Sequence, residues 1–245
     1  MIGSFINVSL IILFIRFFFV ETWNNYGKSQ MLTIGVFIIY TIILIALQVT
    51  YSVDVIDKRC SYDYEQIDQF KLFVYILFPN LMIFMLMFAI LKIFPGWKAP
   101  FSNTFGYFLA YTMGIDKTFS SLLAKPDGEP EFNNSIEQIL GNKSLMINQF
   151  TTDNFTETFN EFVKNKLFDV REPYDPENNK PTVFVESINK LVQKEKVVKL
   201  FSAVSAKDLV AEHIWYILTG CLVITIVKNT MGELNCNLLN LGKQD

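Results

Sequence analysis

Apolar residues in this chain are gathered into four blocks separated by polar stretches of very unequal length. Ile2–Val20 is apolar apart from small polar residues and Arg16. Met31–Val53 contains no charged residue. At about 1.5 Å per residue it is roughly 34 Å long as a helix, enough to cross a hydrocarbon core of about 30 Å with some tilt. Phe70–Phe94 is the third block and Leu209–Val227 the fourth. Continuous apolar runs of this length read as membrane helices. The expected fold is therefore all-α: a polytopic membrane protein with four transmembrane helices. A small, mainly helical extramembrane domain is inserted between helices 3 and 4. The boundaries expected are 1–97 for the first three helices and their loops, 98–208 for the extramembrane domain, and 209–245 for the fourth helix and a short tail.

The first block has no basic stretch before it and no small-x-small cleavage site after it, so a retained helix is expected rather than a signal peptide. Arg16 then either snorkels to the interface or acts as an intramembrane charge; Trp23 suits the aromatic belt. Asp54–Gln69 is an acidic loop without the glycine and ligand rhythm of a calcium loop, so a solvated hairpin is expected. In the third block Pro79 removes a backbone donor and predicts a kink, with Asn80 capping the second half or bonding a neighbouring helix. Lys71 and Lys92 bracket it as anchors.

The third block stops abruptly. Pro95 and Gly96 end the helix, Trp97 sits at headgroup depth, Lys98 meets phosphate, and Pro100 keeps Ala99 extended. Phe101 follows, then Ser102 or Asn103 caps a new segment, Thr104–Leu123, in which Phe105, Gly106, Tyr107 and Phe108 begin a mixed apolar and polar pattern. That segment reads as a helix on the membrane surface or under a soluble domain; a re-entrant span is the alternative. Beyond Ala124, short helices are expected over Ser135–Leu140 and Ser144–Phe150. Another, capped by Asp153, runs to about Phe168, and a long one opens at Pro181. Both longer helices carry their apolar residues at helical spacing.

Composition adds limits. Hydrophobic residues make up 51% of 245 and charged residues 18%, below the roughly 25% of soluble domains. The net charge of −3 points to no nucleic-acid partner. Cys60, Cys221 and Cys236 form no CxxC pair, so neither a disulfide framework nor a zinc site is expected; Cys60 and Cys236 are free thiols or acylation sites. His213 is the only histidine and lacks a second one at helical spacing, which excludes a zinc-protease helix. Four Asn-x-Ser/Thr sequons, at Asn7, Asn133, Asn142 and Asn154, carry little weight in a chain this rich in asparagine. No nucleophile elbow, P-loop or dinucleotide turn occurs. The expectation is a non-enzyme with no catalytic residue, cofactor, metal or small-molecule substrate.

The stretch "FPGWKAPFSNTFGYF", placed directly after a membrane span, resembles the membrane-embedded minor capsid proteins of large icosahedral double-stranded DNA viruses, nucleocytoplasmic and phycodnavirus-like. The likeness covers Ile93–Leu109. It implies a structural protein in the virion's internal membrane, linking that bilayer to the capsid shell, with lipid and other capsid or minor capsid proteins as partners. The motif positions are Pro95, Gly96, Trp97, Pro100, Phe101, Ser102, Asn103, Thr104, Phe105, Gly106 and Tyr107. The alternative reading, independent of the resemblance, is an ion channel or transporter subunit that uses the Pro79 kink as a gate.

Overall fold

The computed structural model describes residues 2–20, 26–60, 69–124, 130–169 and 194–233. Among the described residues the protein is all-helical, and its only β feature is an isolated antiparallel bridge between Leu123 and Phe168. Three helical stretches among the described residues are long and apolar enough to cross a membrane: Ile34–Lys58, Phe70–Ile93 and Glu195–Glu233. The first apolar block also forms a helix, but its described apolar part, Ile2–Phe17, is shorter. The chain divides into two compact units. Unit 1 is Met1–Phe18, Tyr26–Trp97 and Glu212–Asp245; unit 2 is Phe19–Asn25 and Lys98–Ala211.

Unit 1 is built from α1 (Ile2–Val20), α2 (Tyr26–Cys60), the run α3 (Gln69–Pro79), a π-helical turn (Asn80–Met85) and α4 (Leu86–Ile93), and the end of the last helix. α2 continues past Val53, so Asp54, Asp57 and Lys58 lie on a helix, not in a loop, with Lys58 paired to Asp54 at 2.8 Å one turn away. The rest of the expected acidic hairpin lies outside the described residues. Pro79 is accommodated by the π turn that follows it. Proline cannot donate to the preceding turn, and widening the helix by one residue is a way to re-form the ladder around it. Pairings fix two antiparallel contacts. Along α2 and the third run, Gln48 meets Asn80, Tyr40 stacks on Phe84 and Phe37 on Phe88. Along α1 and the last helix, Phe5 packs on Gly220 while Ser9 bonds His213. A Cβ on Gly220 would overlap the buried Phe5 ring, so glycine is required for this approach.

The outer surface of unit 1 is apolar. Ile11, Phe14, Ile38, Ile39, Ile42, Phe78, Met82, Leu86 and Leu222 are all more than half exposed. Seven of its polar side chains, Ser9, Arg16, Gln48, Ser52, Asn80, Glu212 and His213, are buried, whereas Asp54, Lys58, Lys71, Lys92 and Lys228 are exposed.

Unit 2 has the opposite arrangement. It contains α5 (Ala99–Phe101), a second π turn (Ser102–Gly106), α6 (Tyr107–Thr112), α7 (Ile115–Leu122), α8 (Pro130–Gly141), α9 (Lys143–Gln149), α10 (Phe155–Lys164) and the first part of α11 (Lys194–Glu233). Its core is a phenylalanine cluster. Phe119 touches Phe150, Phe162 and Phe168 edge-on, and Phe155 meets Phe201. Charged residues such as Lys117, Glu157, Glu161 and Lys164 are exposed.

Several expected boundaries shift. The segment expected at 104–123 breaks at Gly114, whose φ of 81° is left-handed and suits only glycine comfortably. The helix expected to run from an Asp153 cap to Phe168 spans Phe155–Lys164; its N-cap position is Asn154, and no side chain caps it. The break expected at Asp208 does not exist: α11 runs unbroken from Lys194 to Glu233, so Glu212 and His213 lie in mid-helix. The Pro181 start of the long helix, Trp23 and Cys236 lie outside the described residues.

Phe119 is fully buried among three other rings. Phe119→Ala should lower the opening free energy of unit 2 by about 3–5 kcal/mol. Hydrogen exchange of the full chain in detergent measures this, with the amides of α9 and α10 reporting the loss and those of α2 as reference.

Candidate functional site

The motif Pro95–Tyr107 is helical almost throughout. α4 stops at Ile93, Pro95–Lys98 forms a turn of 3₁₀ helix, and Ala99 is already in α5. Ala99 is therefore helical, not extended. Proline at the start of a helix has a φ the helix wants, and its missing N–H has no partner there to lose, so Pro100 opens the segment rather than stretching it. Ser102 and Asn103 do not cap a helix; both lie inside the π turn Ser102–Gly106.

In unit 1, the motif contributes Trp97. Its ring is half-exposed and lies 6.2 Å from that of Trp215, whose Nε1–H donates to the Trp97 carbonyl at 2.9 Å. Pro95 is half-buried, and Gly96 is exposed with nothing near its Cα hydrogens.

In unit 2, the remaining motif residues divide into two faces. Lys98, Ser102, Gly106 and Ala110 recur every fourth residue and are all buried. This face packs on α11 and on the turn before α10. A Cβ on Gly106 would overlap the Lys207 carbonyl oxygen, so two backbones meet with no side chain between them. One turn earlier, the Ser102 hydroxyl donates to Asp208 Oδ1 at 2.7 Å, and Asp208 Oδ2 accepts the Thr152 backbone N–H at 2.6 Å. Lys98 does not reach for an external phosphate. Its amine is 2.8 Å from Asp153 Oδ2, and the residue is only 8% exposed. Asp153, expected as a helix cap, is used as this lysine's counter-ion. The opposite face, Asn103, Thr104, Phe105, Phe108 and Tyr111, is exposed. Phe101 and Tyr107 are intermediate. Tyr107 donates to Asp116 at 2.8 Å, and burial together with that carboxylate pushes its phenol above the ordinary tyrosine value, keeping it a donor.

Unit 1 holds a second polar cluster. Arg16 does not snorkel outward: it is 5% exposed and lies 3.4 Å from Glu212, which also accepts the Tyr216 hydroxyl at 2.7 Å. Ser9 shares a hydrogen with the Tyr40 hydroxyl at 2.7 Å, and His213 Nε2–H donates to the Ser9 carbonyl at 2.6 Å. Farther along α2, Asn80 Nδ2 donates to Gln48 Oε1 at 2.6 Å and to the Ile76 carbonyl at 2.8 Å. Asn80 thus takes the second of its two expected roles, bonding to a neighbouring helix.

What these clusters do chemically is hold helices together. Among the described residues no group of three or more His, Cys, Asp or Glu side chains converges as a metal site. A shallow groove of about 490 Å³ on unit 2 is lined by amides, Ser135 and apolar side chains such as Phe132 and Met146, with no acid or base. The Arg16–Glu212 pair and the Ser102–Asp208 contact were not anticipated from sequence. The second had a signal: Ser102, Gly106 and Ala110 form a small-x-x-x-small repeat.

The two motif glycines separate local from tertiary effects. Gly106→Ala should destabilise unit 2 by about 1–3 kcal/mol through overpacking, while Gly96→Ala should leave it unchanged, as read by thermal unfolding in detergent. For the buried ion pair, Arg16→Met or Glu212→Leu alone should each cost about 3–5 kcal/mol, and the double variant clearly less than their sum, in the same assay. No protein-family model matches the chain, and neither a curated protein nor a solved structure is significantly similar to it.

Proposed function

We propose that the protein is a structural membrane protein that holds a helical unit at a bilayer surface and presents it to a protein partner. The observation that carries this reading is the opposite polarity of the two units. In unit 1 many large apolar side chains are exposed while a set of polar ones, among them Arg16, Gln48, Asn80 and Glu212, is buried; in unit 2 a phenylalanine cluster is buried and most charged side chains are exposed. The first arrangement suits lipid as solvent and the second suits water. With α1 counted as a fourth span, the antiparallel pairings of α1 with the end of α11 and of α2 with the third run suit an up-and-down bundle within unit 1.

The finer reading follows from the resemblance of Ile93–Leu109 to membrane-embedded minor capsid proteins. On it, the bilayer is the internal membrane of a virion, and unit 2 contacts the capsid shell or other minor capsid proteins. The motif contributes by tying residues 98–110 to α11, which fixes the start of the presented unit. No catalytic step is assigned.

A transport reading is favoured by one observation. Gln48 Nε2, Ser52 Oγ and Asn80 Oδ1 are buried with no partner among the described residues, beside a π turn inside an apolar helix. Polar groups of this kind within a membrane span often mark a substrate or ion path.

The two readings separate in paired experiments. Intact particles or native membranes are cross-linked through the exposed Lys117, Lys164 and Lys166 of unit 2. Cross-links should concentrate on one abundant shell protein, and ion flux into liposomes carrying the purified protein should equal that of protein-free liposomes. Selective flux that disappears in Asn80→Leu replaces the structural reading with transport.

A further inference from the structure

We propose that the exposed aromatic face of residues 104–112 rests in the headgroup layer of a bilayer, making this stretch an interfacial membrane-binding helix. The proposal rests on the membrane reading above and assigns this face its occupant: lipid.

The face is unusual for a unit with a phenylalanine core. Phe105, Phe108 and Tyr111 are 63%, 71% and 58% exposed and recur every third residue, so they project from one side. The side chains turned inward from the same stretch are the small ones, Ser102, Gly106 and Ala110. An amphipathic helix in water buries its large apolar residues; this one buries its small residues and exposes three of its four rings, with only Tyr107 turned partly inward.

Apart from the exposed Asn103 at its edge and the Tyr111 hydroxyl, the polar groups on the face are two threonines that do not call for water. Thr104 Oγ1–H donates to the Pro100 carbonyl at 2.6 Å, and Thr112 Oγ1–H to the Leu109 carbonyl at 2.7 Å. Hydroxyls bonded to their own helix present mainly methyl groups outward. No charged residue occurs from Ala99 to Ile115. The charges at either end are engaged inside unit 2: Lys98 with Asp153, and Asp116 with the Tyr107 hydroxyl. Aromatic rings with one terminal hydroxyl and no flanking charge match the headgroup–acyl boundary, where an amphipathic ring has both an apolar and a wet side.

The occupant is also within reach. Phe105 follows Ile93, the last residue of an apolar helix long enough to cross a membrane, by twelve residues. A tether that short keeps the face near whatever bilayer that helix enters.

The test uses the full chain in phosphatidylcholine vesicles, with Cys60, Cys221 and Cys236 changed to serine and one environment-sensitive fluorophore attached to an introduced cysteine. The positions are Phe108→Cys on the face, Glu157→Cys on the exposed charged surface of unit 2, and Ile39→Cys on the apolar outside of unit 1. At 108 a nitroxide carried near the headgroup should quench about twofold more than one deep in the acyl chain, and aqueous iodide should quench little. At 157 only iodide should quench. Equal iodide quenching at 108 and 157 overturns the proposal, as does stronger quenching at 108 by the deep nitroxide, which signals a re-entrant segment. Shielding at 108 that vanishes on dilution of protein in lipid also overturns it in favour of a second copy of the chain. The label at 39 reads the membrane assignment separately: deep-nitroxide quenching there keeps that reading intact even if the face at 108 proves dry of lipid.

Discussion

A helix bundle that turns its apolar side chains outward has to find partners for its polar ones inside, and that constraint shapes unit 1. Three of its buried polar contacts join one helix to another. Arg16 on α1 meets Glu212 on α11, Ser9 on α1 meets Tyr40 on α2, and Asn80 meets Gln48 on α2. In a medium without water each such pair is worth keeping because the alternative is an unanswered group. The pairs therefore act as registration marks among helices whose outer surfaces are otherwise nearly uniform. Aromatic stacking fills the space between them, with Phe37, Tyr40, Phe84, Phe88 and Tyr216 in mutual contact.

Unit 2 is governed by more familiar forces. Its helices are short, and few of them would be stable alone. Their apolar faces converge on phenylalanines whose ring contacts are mostly edge-on or tilted, the arrangement aromatic quadrupoles prefer. The beginning of the unit is secured by something stricter than hydrophobic burial. Gly106 lets two backbones touch, and Asp208 uses both oxygens, one on Ser102 and one on the Thr152 amide. Such contacts tolerate little displacement, whereas a phenylalanine core can repack.

The motif that drew notice in the sequence thus has two jobs. The Lys98–Ser102–Gly106–Ala110 face is structural glue within unit 2. The Phe105–Phe108–Tyr111 face is left outward and aromatic. A single stretch with no charge between Ala99 and Ile115 can do both because a helix separates residues by angle, not by order.

The apolar blocks were legible in the sequence because lipid-like solvation is a property of composition over some twenty residues and needs no partner. For the same reason the helices at Met31–Val53 and Phe70–Phe94, the stop at Pro95, and the inward phenylalanines of α10 could be read directly from spacing. The fate of individual polar residues could not. Arg16 and Lys98 looked like anchors for an interface because a long basic side chain beside an apolar run normally snorkels. Only the fold shows that each is opposite an acid, Glu212 or Asp153, far away in the chain. The unbroken α11 is the same lesson in backbone form. Its hydrophobic pattern changes near Asp208, which reads locally as a boundary, yet the helix continues, with the Asp208 carboxylate bonded to Ser102 and the Thr152 amide. Local pattern selects which medium a segment belongs in; pairing between distant residues, invisible in one dimension, decides where each charge goes.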